Sequence, residues 1–273
     1  RKEHRSKPQL AAEMIRQIAS WLPKYKLHVV ADVAYVGQHL LKDRPENVEV
    51  LGPLRWDAAL TEPLLTSSNR RRKKGARLPS PQAMLNGDDP RWPVQKICLA
   101  HPKGERTLEV KVVRKVCWYH IAGPREVLVV LVRDPQGEWR DEALVSTDTT
   151  LTAEEVVAGY CRRWSVEVAY ADGKGLLGFH DPEVWCAHSV ERAHPMSWFV
   201  GSVVVLWYAL FGHEEPMPQR HRPWYTHKPA VTFADMLATC RYNLWRNWLA
   251  KSGSPAELED RRAWLMEYLA TAA

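Results

Sequence analysis

Residues 153–175, AEEVVAGYCRRWSVEVAYADGKG, carry four polar side chains at fixed intervals: Tyr160, Arg163, Glu167 and Lys174. Read as one helix, successive residues turn by about 100°, so offsets of 3, 4 and 7 residues gather all four on one face. Val157, Tyr160, Trp164, Val168 and Ala171 form the neighbouring apolar stripe, which sets Arg163 and Glu167 at the margin of a buried face. A carboxylate there suits a hard divalent cation such as Mg2+ or Mn2+. An Arg holds phosphate oxygens as a fork and a Lys as a point charge, while a Tyr hydroxyl donates to phosphate as its ring packs. That set equips a protein for phosphodiester chemistry, in which paired cations activate an oxygen nucleophile and offset charge on the phosphate. The plainer alternative is a solvated Glu–Arg pair worth about 0.2–0.5 kcal/mol, and for Tyr160 an ordinary core aromatic.

A second carboxylate stands apart. Leu27 to Ala31 is a short apolar run that ends in Asp32 and then Gly37, and it reads as a buried strand. Asp32 therefore falls at the carboxyl end of a core strand, where the sites of sheet proteins gather. A turn or helix cap is the simpler role for an Asp in that place.

Taken together, Y-x2-R-x3-E-x6-K over Tyr160, Arg163, Glu167 and Lys174, and D-V-A-Y at Asp32 with Leu40 and Leu41 following, resemble the DDE transposases of bacterial cut-and-paste insertion sequences. The resemblance implies an α/β, RNase H-like mixed sheet flanked by helices, with three acids in the order Asp, Asp, Glu. Asp32 matches the second and Glu167 the third. Both are implied catalytic and metal-holding residues for Mg2+ or Mn2+, with Tyr160, Arg163 and Lys174 on DNA phosphates. The separation, 167 − 32 = 135 residues, implies the β-rich insert that some members carry between these acids. The implied activity is cutting and joining of DNA phosphodiesters in transposition. The implied partners are transposon ends and target DNA, held by a homodimer in the bacterial cytoplasm at the nucleoid, with no membrane. The first Asp, which the resemblance implies on a strand before the opening helix, has no counterpart in residues 1–7, RKEHRSK, which hold no Asp and no strand. The expectation is a chain lacking the first strands of its fold and inactive by itself. The alternative is a DNA-binding remnant without chemistry, and a third is a metal-dependent nuclease recruiting Asp148, Glu155 or Asp172 as its missing ligand.

The elements that must position these residues follow from periodicity. Leu10, Met14, Ile15, Ile18 and Leu22 give a helix over 8–22 with Pro8 in its first turn. Residues 43–106 are Pro-rich and polar with few regular periods. Within them six of residues 70–77 are basic (Arg70, Arg71, Arg72, Lys73, Lys74 and Arg77) and none is acidic. Such a run is either a solvated loop or a phosphate-contacting one that gains from counterion release. From 107 onward, 108–112, 116–121, 126–132 and 143–146 read as strands, with Asp134-Pro-Gln-Gly137 as a turn. Thr152 with Glu155 forms a capping box that opens the signature helix. Residues 183–212 hold about 16 largely apolar positions, too few for the roughly 20 of a membrane span, so a core helix is expected. Helices over 232–250 and 256–270 close the chain. The resulting division is a partial core over 1–42, a β-rich insert with its basic loop over 43–146, core helices over 147–212 and a helical region over 213–273.

Composition agrees with a folded, polyanion-binding protein. The 273 residues include 45% hydrophobic and 26% charged ones, and thirteen Trp. The net charge of +6 and pI near 9.1 favour a nucleic-acid partner. Five spread Cys show no C-x2-C pair, which indicates neither a disulfide framework nor a zinc site. Three His (213, 221 and 227) lack metal-ligand spacing.

Overall fold

The computed structural model describes residues 4–64, 73–101, 104–179, 181, 186–216, 230–250 and 254–271. They fall into two compact units, Arg1–Ser165 and Val166–Ala273, a coarser division than the four segments expected from the sequence.

The first unit is built on one six-stranded mixed sheet flanked by helices, consistent with an RNase H-like fold. In chain order its strands are β1 (Leu27–Val30), β2 (Val48–Pro53), β3 (Val94–His101), β4 (Gly104–Cys117), β5 (Glu126–Arg133) and β6 (Glu142–Ser146). They lie side by side as β1-β2-β6-β5-β4-β3. β1 and β2 run parallel, with Leu27 opposite Val48, and every other pairing is antiparallel.

Period-2 alternation sends neighbouring residues to opposite faces. Val127, Val129 and Leu131 enter one core with Val50, Val113, Ala143 and Val145. Leu128, Val130 and Val132 enter the other with Leu51, Leu108, Val110 and Leu144. β5 is apolar throughout because both of its faces are covered, as the unbroken run Val127–Val132 demands. Full burial of each such side chain stabilises by about 1.5–3 kcal/mol.

Three strand expectations change. Leu27–Ala31 was expected to be buried; β1 instead lies at the sheet's edge among the described strands, its residues only half-buried and His28 exposed, because β2 alone pairs with it. The stretch 43–106 holds β2 and β3, whose periods are masked by polar Glu49, Gln95 and Lys96 and by breakers at Gly52 and Pro53. Gly52 has a specific cause: a Cβ there would fall 2.7 Å from the Ala31 carbonyl oxygen, so glycine lets β1 and β2 close. Finally, residues 119–121 belong not to a strand but to a helical turn, α4 (Tyr119–Ala122).

Helices cover both faces. α1 (Lys7–Trp21) sets Ala12 and Ala19 inward, with Ser6 N–H donating to Gln9 Oε1 at its start. α2 (Gln38–Leu41) buries Leu40 and Leu41, and α3 (Pro81–Asn86) is capped by Ser80. Buried Lys111 donates its ammonium to the Met84 and Gly87 carbonyls at the end of α3, where a cation complements the helix dipole. α5 (Ala153–Cys161) crosses the other face, opened by the expected box: Glu155 N–H to Thr152 Oγ1 at 3.2 Å and Thr152 N–H to Glu155 Oε2 at 2.8 Å. A Cβ on Gly159 would lie 2.8 Å from Leu51 Cδ2, so α5 approaches β2 closely there.

The second unit is helical. α6 (Trp164–Leu176) begins at its boundary, followed by α7 (Ala187–Leu210), α8 (Phe233–Ala250) and α9 (Pro255–Thr271). Trp198 of α7 meets Tyr170 of α6 edge-on at 5.2 Å and Phe179 at 4.8 Å. Asp235 accepts from the Thr232 N–H and hydroxyl, both at 2.8 Å, which opens α8 as expected. α7 departs from the expected core helix. It is longer, 24 residues, because 187–194 precede the apolar stretch in it, and only Gly201 and Val204 are buried while Phe199, Leu206 and Leu210 are more than half exposed. With a mean hydropathy of 1.3 it is, among the described residues, long and apolar enough to cross a membrane by length and composition.

Candidate active site

Two helices, not one, carry the signature residues. The ladder of α5 ends with Arg162 N–H on the Ala158 carbonyl at 3.2 Å, then tightens to three-residue turns, Arg163 N–H on Tyr160 O and Ser165 N–H on Arg162 O, both 3.0 Å. No Gly or Pro marks the break. The single helix expected from the sequence is therefore two: Tyr160 belongs to α5, Arg163 to the turn, Glu167 and Lys174 to α6. The expected apolar stripe is buried at Val157 and half-buried at Tyr160, whereas Trp164, Val168 and Ala171 are exposed. Glu167 is likewise exposed rather than at a buried margin. Lys174 keeps its helical place, since α6 runs on to Leu176, and seven residues from Glu167 it shares that helix's face.

The first unit gathers the rest. β1 and β2 end at the same edge of the sheet because they are parallel, and antiparallel β6 begins there, with Leu54 N–H donating to Ala143 O at 2.7 Å. α5 starts at the far end, after β6, and runs back over β2 through Gly159. Its last turn consequently delivers Tyr160 to the end where β1 releases Asp32. The meeting point is a 530 Å³ cleft lined by Asp32, Pro53, Leu54, Arg55, Trp56, Asp57, Glu142 and Tyr160, with Val33 beside Asp32.

Asp32 is exposed, and its Oδ1 accepts the Val33 N–H at 2.7 Å. Its carbonyl takes the Tyr35 and Val36 N–H groups, so the turn role foreseen for it is real and leaves the second carboxylate oxygen to the cleft. Arg55 and Asp57 pair as two parallel bonds of 2.9 Å across Trp56. Glu142 is half-buried, and that burial raises its carboxyl above the ordinary range, with Arg140 opposing. Burial also raises the Tyr160 phenol, helped by Glu142 and Asp32 and opposed by Arg163. The Arg163 guanidinium lies 5.8 Å from the centre of the Tyr160 ring. Tyr160 thus lines a cleft that also holds three carboxylates, and Arg163 lies against its ring.

Exposed, hard-oxygen Asp32 has the donor chemistry and water access that Mg2+ or Mn2+ demands. Among the described residues no group of three His, Cys, Asp or Glu is gathered closely enough to hold a metal ion unaided. Two suggested substitute ligands are engaged elsewhere. Asp148 is buried at the opposite end of the sheet, accepting from Lys26 Nζ at 2.5 Å, and Glu155 serves the cap of α5. Glu167 and Asp172 belong to the second unit.

The basic run is only partly described, since Arg70, Arg71 and Arg72, with His221 and His227, lie outside the described residues. Lys73 is exposed. Lys74 donates to His120 Nε2 at 2.7 Å and sits 5.0 Å from the Tyr119 ring centre. Exposed Arg77 bridges Thr61 through the backbone. These contacts tie the carboxyl side of the loop to α4.

Glu142 and the Arg55-Trp56-Asp57 triplet escaped the sequence reading. A triplet of two opposite charges around a Trp directly after a strand, and a Glu opening an apolar run, were the available signals. Neither means much until the register of β2 and β6 is known.

The model of the transposase DDE domain family matches residues 2–181. No curated protein matches the chain.

Proposed function

The chain belongs to the transposase DDE domain family, and from that premise we propose that Asp32 and Glu167 hold divalent cations against a DNA phosphate for cutting and joining of transposon ends. The family acts in DNA transposition and its domains use divalent metals. Mg2+ or Mn2+, when bound, supplies activation of the oxygen nucleophile and neutralisation of charge on the phosphate. The chain's own residues bind and orient. Arg163 and Lys174 grip phosphate oxygens. Tyr160, whose phenol stays protonated well past neutral pH because burial raises it, donates its hydroxyl to one of them. Lys73, Lys74, Arg77 and the Arg70–Arg72 run follow the DNA backbone by charge. The synaptic assembly is read as a homodimer acting at the bacterial nucleoid.

One observation carries this reading: Asp32 and Tyr160 come from two separately recognised stretches, yet line the same cleft with Arg163 against the Tyr160 ring.

The test uses Fe2+ in place of Mg2+, with ascorbate and peroxide, so that radicals cut the polypeptide near the bound ion. Backbone cuts around both 32 and 167, suppressed by excess Mg2+, are expected. Cuts confined to one of the two stretches, or spread without regard to Mg2+, defeat the proposal and leave DNA binding without chemistry as the better description.

A further inference from the structure

The most apolar helix of the second unit, α7, packs on one side only. Trp198 meets the Tyr170 and Phe179 rings, Gly201 and Val204 are buried, and a Cβ on Gly201 would lie 2.8 Å from Leu177 Cδ1. At about 100° per residue, the opposite side carries Met196, Phe199, Val203, Leu206 and Leu210, all between 47% and 65% exposed. Their intervals are 3, 4, 3 and 4 residues. That repeat is the seam of a coiled coil, in which each side chain enters a hole on a facing helix. A solvated helix face would carry charge there, yet residues 193–212 include no Asp, Glu, Lys or Arg. Ser202, at the margin of the stripe, donates to the Trp198 carbonyl at 2.9 Å, so it brings no unmet hydroxyl to the surface.

The stripe is complementary to itself. Val203 is its midpoint, so a two-fold axis sets Val203 against its own copy whichever way the two helices run. No charge on the seam opposes such a pairing. The five side chains expose about 500 Å² on each copy, and covering both sets reaches the roughly 1,000 Å² that a specific interface needs. A lipid surface requires an apolar face but no alternation of threes and fours; a facing helix requires both.

We propose that the stripe Met196, Phe199, Val203, Leu206 and Leu210 of α7 pairs with the same stripe of a second copy of this chain. The inference rests on the homodimer reading given above and deepens it by assigning the dimer a surface. It draws on none of the metal-holding or DNA-binding residues.

Sedimentation velocity of the full chain without DNA is expected to show a dimer at micromolar concentration. Leu206→Lys sets two cations in the seam and is expected to raise the dimer dissociation constant about a hundredfold. Its thermal melt by circular dichroism should be unchanged, because Leu206 is already more than half exposed. Met196→Lys, nearer the start of the stripe, is expected to act alike, so a folding defect in one variant leaves the other to decide. Leu206→Met should keep the dimer. Val203→Cys, treated with a short bis-maleimide, is expected to yield a crosslinked peptide joining 203 to 203. A monomeric parent chain overturns the proposal, and one that is recovered on phosphatidylcholine vesicles gives the stripe to lipid instead. A dimer that both lysine variants leave intact, or crosslinks confined to the native cysteines, overturns it as well. Mn2+ affinity, measured on the same samples, keeps the two levels apart. A folded, monomeric Leu206→Lys chain that binds Mn2+ as the parent does is the expected result. A parent chain that dimerises through 203 without binding Mn2+ sinks the metal site and leaves the seam; one that binds Mn2+ as a monomer sinks the seam alone.

Discussion

Two aspartates mark opposite ends of the same sheet, and they have been treated in opposite ways. Asp148, after β6, is buried; its carboxylate accepts from Lys26, from Thr150 N–H at 3.0 Å and from the Thr150 hydroxyl at 2.6 Å. Burial alone would raise its pKa, but those donors hold it down at about 2. Asp32, at the end of β1, is exposed and accepts one backbone N–H. The first carboxylate has its donors built into the fold, and the second keeps oxygen lone pairs for something the polypeptide does not itself provide. Partner count, more than position on a strand tip, distinguishes the two acids: Asp148 is fully engaged by the fold, whereas Asp32 accepts one backbone N–H.

The contrast breaks most visibly in stability. Asp148→Ala leaves Lys26 and Thr150 without their acceptor and is expected to cost about 2 kcal/mol, below the 3–5 of a fully buried pair because Lys26 stands half in water. Urea denaturation measures it. Asp32→Asn should leave the same midpoint within about 0.5 kcal/mol, as surface changes do, and instead lower Mn2+ affinity at least tenfold.

Acid sharpens the comparison. The folded pKa of Asp148, about 2, lies below its unfolded value near 3.9. Its contribution is therefore complete above about pH 4 and disappears as pH falls towards 2. Unfolding curves between those limits should steepen with pH for the parent chain, and flatten for Asp148→Asn.

Smaller effects test how the cleft is assembled. Gly159→Ala pushes a methyl against Leu51 Cδ2 and should cost about 1 kcal/mol net, overpacking outweighing the gain in helix propensity. It should also weaken the binding that depends on Tyr160, because α5 must lift from β2. Replacing Lys73 or Arg77 by Ala should lower DNA affinity evenly across sequences and reduce the salt slope by about 0.9 each if the side chain meets a phosphate. A salt series of DNA-binding isotherms decides that.

What could be read from the sequence depended on range. Local signals survived: the Thr152–Glu155 box, the Thr232–Asp235 cap, and Pro8 in the first turn of α1 all appear as expected. So did the apolar run of β5, whose burial on both faces needs no knowledge of its neighbours. The failures are non-local. β2 lay within the Pro-rich, polar stretch 43–106 that showed few regular periods, and is a strand because β1 and β6 flank it. The break after Arg162 carries no residue that stops a helix. α7 was expected to be a core helix on the length of its apolar stretch, although burial depends on which surface covers it. Asp32 and Tyr160 were singled out by their types and spacing, and the fold brings both to one cleft with Arg163 against the Tyr160 ring. Glu142 and Trp56 join them only through the register that sets Leu51 opposite Ser146.

The central claim is that Asp32 and Glu167 grip the same cation, and a double-mutant cycle on Mn2+ binding followed by electron paramagnetic resonance tests it most directly. Asp32→Asn and Glu167→Gln should each remove the same tight site, and the double variant should lose no more than either single one. Losses that simply add, or a tight site untouched by Glu167→Gln, would show two acids serving different ions and would contradict the account.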